Sequence, residues 1–129
     1  MAGSNAVHRL ADPEPSTVVL DAAVRAADLL GLSQGQLARV LRMDPSTLSR
    51  RLAQRRGLSE HSSEYELALL WIRLFRSLSA VVGGQDETAR AWLASANRAF
   101  GGQRPRDVIA SVEGLVRVVQ YLDAHRATL

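Results

Sequence analysis

Apolar residues recur at three- and four-residue steps along most of the chain, the period of helices that bury one face. Leu20, Val24, Ala27 and Leu30 mark a first helix that starts near Thr17 and is closed by Gly31. Residues 1–16 hold Gly3, Pro13 and Pro15 and no period, the pattern of a flexible tail. Ser33 opens a second helix, with Gln36 three residues on, so each side chain can answer the other's unpaired backbone amide. Leu37, Ala38 and Leu41 form its apolar side. A short turn, Arg42–Met43–Asp44, leads into a third helix capped by Asp44. Pro45 takes its first position, where the missing N–H costs nothing. Leu48 and Leu52 face inward from it.

After the polar stretch 55–63 the pattern changes. Ser63 and Glu66 have capping-box spacing, and the helix they open is apolar nearly all round from Leu67 to Phe75. Such a helix is buried on several sides, in the middle of the fold or against a second copy. Gly83 and Gly84 end it, and Asp86 is expected to cap a fifth helix carrying Trp92, Leu93 and Ala96. That helix should stop at Gly101 and Gly102, and Pro105 restarts the chain. Ser111 can cap a last helix that runs to about His125, with Leu115, Val118, Val119 and Leu122 inside. Gly114 within it costs about 1 kcal/mol relative to alanine, which implies another helix passing close by. No hairpin signal and no internal repeat intervene. The expectation is an all-α fold of about seven helices. It divides into a tail (1–16), a helix-turn-helix region with its linker (17–62) and a helical unit (63–129).

Composition narrows the function. The 129 residues suit one medium domain or two small ones, and 47% of them are apolar, enough for a core. Cysteine is absent, which removes disulfides, thiol catalysis and cysteine zinc sites. The N-terminus lacks an apolar signal core, and the longest apolar run, Leu67 to Ile72, cannot span a bilayer. The reading is a soluble cytoplasmic protein without a membrane partner. His8, His61 and His125 have no metal-ligand spacing, and no metalloprotease, phosphate-loop or nucleophile-elbow motif is present. No enzymatic activity, cofactor or metal is expected.

All sixteen basic side chains are arginine, and the net charge is only +3. Their distribution is uneven. Arg39, Arg42, Arg50, Arg51, Arg55 and Arg56 against Asp44 alone give the segment 39–56 a formal charge of +5, a field suited to a polyanion. This segment contains the two short helices and their turn, the arrangement of a DNA-binding helix-turn-helix. Ala38 is small where the helices must meet. The third helix would present Ser46, Thr47, Ser49, Arg50 and Gln54 to base edges or phosphates, with Arg55 beyond its end. Its N-terminus also favours a phosphate. Two positions depart from the usual pattern. Arg42 stands at a turn position where glycine is common, and Arg51 near one that is usually apolar.

The stretch from Trp92 to Leu122 adds a second constellation. Trp92, Asn97, Phe100 with Gly101, Pro105 and Gly114 precede a final amphipathic helix. In this order they resemble the C-terminal domain of Xre/MbcA/ParS-type antitoxins, and the upstream helix-turn-helix stands where that family keeps one. The resemblance covers about residues 17–129. It implies a cognate RES-domain toxin, an NAD-consuming enzyme whose active site the C-terminal domain blocks. It also implies a homodimer and binding to operator DNA of its own operon. On this reading Trp92, Asn97, Gly101, Pro105 and Gly114 are architectural, with Asn97 hydrogen-bonded across the corner. The outer side of the last helix and its end, Arg117, Tyr121, His125, Arg126 and Leu129, would meet the toxin. The Leu129 carboxylate could stand in for an anion of the dinucleotide. The alternative is a helix-turn-helix transcription regulator whose C-terminal half only dimerises or senses a ligand.

Overall fold

The computed structural model describes residues 14–127. Among them are seven α-helices and one short 3-10 turn, without a strand. They are α1 (Pro15–Leu30), α2 (Gln34–Val40), α3 (Pro45–Ala53), α4 (Ser63–Val81), α5 (Asp86–Ala94), the 3-10 turn Arg98–Phe100, α6 (Pro105–Val108) and α7 (Val112–Arg126). The first helix starts at Pro15, so Pro15 and Ser16, expected in the tail, form its first turn. Proline is preorganised for that position.

The nearly all-apolar α4 takes the central place. It packs chiefly against α7 on one side and α1 on another. Trp71 is fully buried at the α1 contact, and its indole Nε1–H donates to the Ala23 carbonyl at 3.0 Å. A buried indole needs such an acceptor, because an unpaired N–H there costs about 1–3 kcal/mol. Leu20 and Leu30 of α1, Leu37 and Leu41 of the helix-turn-helix, and Leu115, Val118 and Leu122 of α7 belong to the same buried cluster. One core therefore runs through both halves of the chain.

The stretch after α3, read as a polar linker, is fastened to that core. Leu58 is buried and its N–H donates to the Ser16 carbonyl at 3.2 Å. Gly57 lies so close to α1 that a Cβ would overlap the Ser16 backbone. Arg51 reaches from α3 to donate from Nη1 to the Gly57 carbonyl at 2.9 Å. An arginine near a normally apolar position thus ties α3 to the segment behind it.

Three expected helix ends shift. The cap of α4 is Ser62, whose Oγ accepts from the Tyr65 N–H at 3.2 Å and donates to the Ser59 carbonyl at 2.7 Å; the box expected from Ser63 and Glu66 does not form. Extended Gln85 precedes α5, so Asp86 is not its cap. Asp86 and Glu87 instead lie in its first turn, where negative charge meets the positive end of the helix dipole. That helix stops at Ala94, before the two glycines, which close the 3-10 turn at φ 65° and 83°.

Candidate functional site

The helix-turn-helix is held by its caps. Ser33 Oγ accepts from the Gln36 N–H at 3.1 Å, while Gln36 Oε1 accepts from the Ser33 N–H at 2.7 Å. Leu37, Ala38, Leu41 and Leu48 are buried between α2, α3 and the rest of the core. Their burial turns the opposite side of α3 outward. Ser46, Ser49, Arg50, Gln54 and Arg55 are exposed, and Thr47 is half-buried. Arg50 Nη2 donates to Thr47 Oγ1 at 3.3 Å, one turn earlier.

The start of α3 differs from the expected phosphate site. Asp44 Oδ1 accepts from both the Ser46 N–H at 3.1 Å and the Ser46 hydroxyl at 3.0 Å. A carboxylate thus already occupies the helix N-terminus, and Ser46 is engaged by it. These two bonds, the backbone one foremost, hold the Asp44 carboxyl below its ordinary pKa of 3.8, with a smaller contribution from the Arg50 charge. The positive field of this face comes from the exposed Arg39, Arg42, Arg50, Arg55 and Arg56.

The second face lies at the corner between α5 and α7. Asn97 Oδ1 accepts from the Ala99 N–H at 2.9 Å and so caps the 3-10 turn locally. The corner itself is closed by backbone, through Asn97 N–H to the Gln103 carbonyl at 3.1 Å and Gly102 N–H to the Asn97 carbonyl at 2.9 Å. This folds Phe100 inward, where it is buried. Its ring meets Tyr121 edge-on with centroids 5.2 Å apart. Half-buried Trp92 stacks on Tyr121 at 6.1 Å with 22° between the planes, and His125 lies 4.2 Å beyond. The exposed Arg117 guanidinium sits 5.7 Å over the Phe100 ring. His125 Nδ1 is 2.9 Å from the Tyr121 carbonyl oxygen, the distance at which a protonated Nδ1 donates.

Arg117, Tyr121 and His125, four residues apart, therefore form one stripe of α7 beside Trp92 and Phe100. Trp92 is part of this surface as well as of the architecture. Arg126 turns elsewhere, with Nη1 3.5 Å from Ser77 Oγ. There Ser77, fully buried, donates to Asp123 Oδ1 at 2.6 Å, and Arg73 pairs with Asp123 Oδ2 at 2.6 Å. This network joins residues 46 apart in sequence, and periodicity alone could not find it. Leu129 lies outside the described residues. Pro105 is buried at the start of α6, Gly114 lies in the first turn of α7, and a Cβ at Gly114 would overlap the Val108 carbonyl oxygen. The close neighbour that this glycine implied is α6.

A family model described as an antitoxin Xre-like helix-turn-helix domain matches residues 9–73. The chain belongs to the Xre-type antitoxin family. A second model, the antitoxin Xre/MbcA/ParS C-terminal toxin-binding domain, matches residues 77–127 of the antitoxin, the span that contains the aromatic corner and all of α7. The two matches meet inside α4, the helix on which both halves pack. In fold the antitoxin is similar to a chain of the M. tuberculosis MbcT–MbcA toxin–antitoxin complex, with a TM-score of 0.62 at 20% identity, over 87% of this chain and 96% of that one. No curated protein matches it. Among the described residues no single helix is long and apolar enough to cross a membrane.

Proposed function

We propose that this antitoxin neutralises a RES-domain, NAD-consuming toxin by laying α7 and the aromatic corner over the toxin's active site. It performs no chemistry of its own. Through α3 it binds operator DNA of its own operon as a homodimer, in the cytoplasm. Residues 17–62 serve the DNA and residues 63–129 the toxin and the dimer contact.

One coincidence carries the reading. The stripe Arg117–Tyr121–His125, with Arg117 and His125 exposed and Tyr121 half-buried, lies within the region matched by the toxin-binding domain model. Aromatic and arginine side chains dominate binding energy at protein interfaces. Here Tyr121 is held between Trp92 and His125, and Arg117 lies over Phe100. Side chains ordered before binding lose less entropy when a partner arrives, which favours tight association.

The test is reconstitution with the RES-domain product of the neighbouring gene. NAD consumption by that enzyme should fall to background as the antitoxin approaches a fixed stoichiometry, and the two should co-purify. A toxin that stays fully active inside a co-purifying complex would remove active-site blockade. The antitoxin alone should consume no NAD.

A further inference from the structure

Among the described residues, four α-helix ends close with the backbone motif that also ends the 3-10 turn at Gly101 and Gly102, and the four differ in one residue. After α1, Leu32 N–H donates to the Ala27 carbonyl at 2.8 Å and Gly31 N–H to Asp28 at 3.3 Å, with Gly31 left-handed at φ 76°. After α4, Gly84 N–H donates to Ser79 at 2.7 Å and Gly83 N–H to Ala80 at 3.3 Å, with Gly83 at φ 66°. These are Schellman closures with glycine at the left-handed position, where it is least strained.

The other two closures bracket the recognition helix. After α2, Met43 N–H donates to Ala38 at 2.9 Å and Arg42 N–H to Arg39 at 3.1 Å. After α3, Arg56 N–H donates to Arg51 at 2.8 Å and Arg55 N–H to Leu52 at 3.2 Å. The left-handed residues are Arg42 at φ 59° and Arg55 at φ 54°, the two non-glycine residues with positive φ among the described residues. An L side chain is disfavoured in this region, and a long one gains nothing there by itself. The same chain uses glycine for the same motif elsewhere. Arginine at these two places therefore calls for a reason outside the fold.

Both side chains are exposed, and neither is in an ion pair among the described residues, although Glu64 and Asp21 line the same depressions. The nine residues of α3, at about 1.5 Å each, keep the two arginines on the order of 15–20 Å apart. That spacing lets two long side chains straddle a major groove about 12 Å wide. We propose that Arg42 and Arg55 are a pair of phosphate clamps, one at each end of the recognition helix. On this view they are kept in strained backbone positions because they fix the antitoxin's register on a DNA duplex. The proposal rests on the DNA-binding reading above and adds Arg42 to it.

The experiment measures binding of the full-length antitoxin to a duplex from immediately upstream of its gene, across a salt series, with a scrambled duplex alongside. Arg42→Gly and Arg55→Gly each relieve the backbone while removing the charge. Each should melt at a temperature no lower than the wild type. Each should also weaken binding to both duplexes and make the log–log salt slope shallower by about one, and the double variant by about two. A fourfold rise in salt should then cost each single variant about 4-fold less affinity than it costs the wild type. Arg42→Asn and Arg55→Asn tolerate the left-handed backbone and should give the same loss. Arg76→Ala, exposed on α4, should leave the slope unchanged. Gly and Asn variants that keep the wild-type slope and affinity would overturn the clamp while leaving DNA binding intact. Variants that melt lower would also overturn it, because the arginines would then be serving the fold. A wild type that binds neither duplex would remove the DNA-binding reading itself.

Discussion

Gly114 and Asp44 show how one residue can govern a local structure. Alanine is the better helix former by about 1 kcal/mol, so Gly114→Ala ought to stabilise α7 on propensity alone. The Val108 carbonyl occupies the space a methyl would need. Overpacking against backbone costs about 1–3 kcal/mol, so the substitution should destabilise the protein in urea unfolding. Asp44 gives a pH prediction. Its carboxyl is held below 3.8 in the folded chain by the Ser46 hydrogen bonds, so the ionised form stabilises the fold above that value. The contribution is lost as pH falls through the lowered pKa. Asp44→Ala should melt lower than the wild type at neutral pH, and the gap should close on acidification below about 3.8. The roles of both residues could be read from sequence, because a cap and a helical glycine leave local signatures. Asn97 was only half legible. Its side chain caps a turn that no periodicity announces, while the backbone closes the corner.

At the scale of elements, existence and order were readable and several boundaries were not. The cap of α4 fell on Ser62 because adjacent serines offer the same hydroxyl, and only the Ser59 turn chooses between them. The chemistry of α7 was legible as a stripe at four-residue spacing. Arg126 reaches Ser77 on α4, a contact between elements that spacing within α7 does not show. This α4–α7 junction makes its own prediction. Asp123→Ala leaves the buried Ser77 hydroxyl without its acceptor, and should cost about 1–3 kcal/mol in chemical denaturation. Arg73→Ala removes the other partner, but Arg73 is 63% exposed and its ion pair is screened. Its loss should cost less than about 1 kcal/mol. Equal costs would mean that the charge pair, and not the hydroxyl, holds the junction.

At the scale of the whole antitoxin, one core supports two outward faces made of different chemistry. The basic face around α3 offers charge and little apolar surface. The corner offers the rings of Trp92, Tyr121 and His125, backed edge-on by the buried Phe100, with Arg117 beside them. The charge asymmetry was visible in sequence, whereas the corner needed the fold to bring residues 92, 100 and 121 together. The proposed division of labour is that the α7 stripe acts on the toxin and the α3 face, separately, on DNA. Its most direct test is a titration of NAD consumption by the proposed RES-domain toxin with the wild type, Arg117→Ala/His125→Ala and Arg50→Ala. The double variant should need at least about tenfold more protein for half inhibition, as expected when two interface hot spots are truncated. Arg50→Ala should inhibit like the wild type. Full inhibition by the double variant at the wild-type stoichiometry would contradict the account.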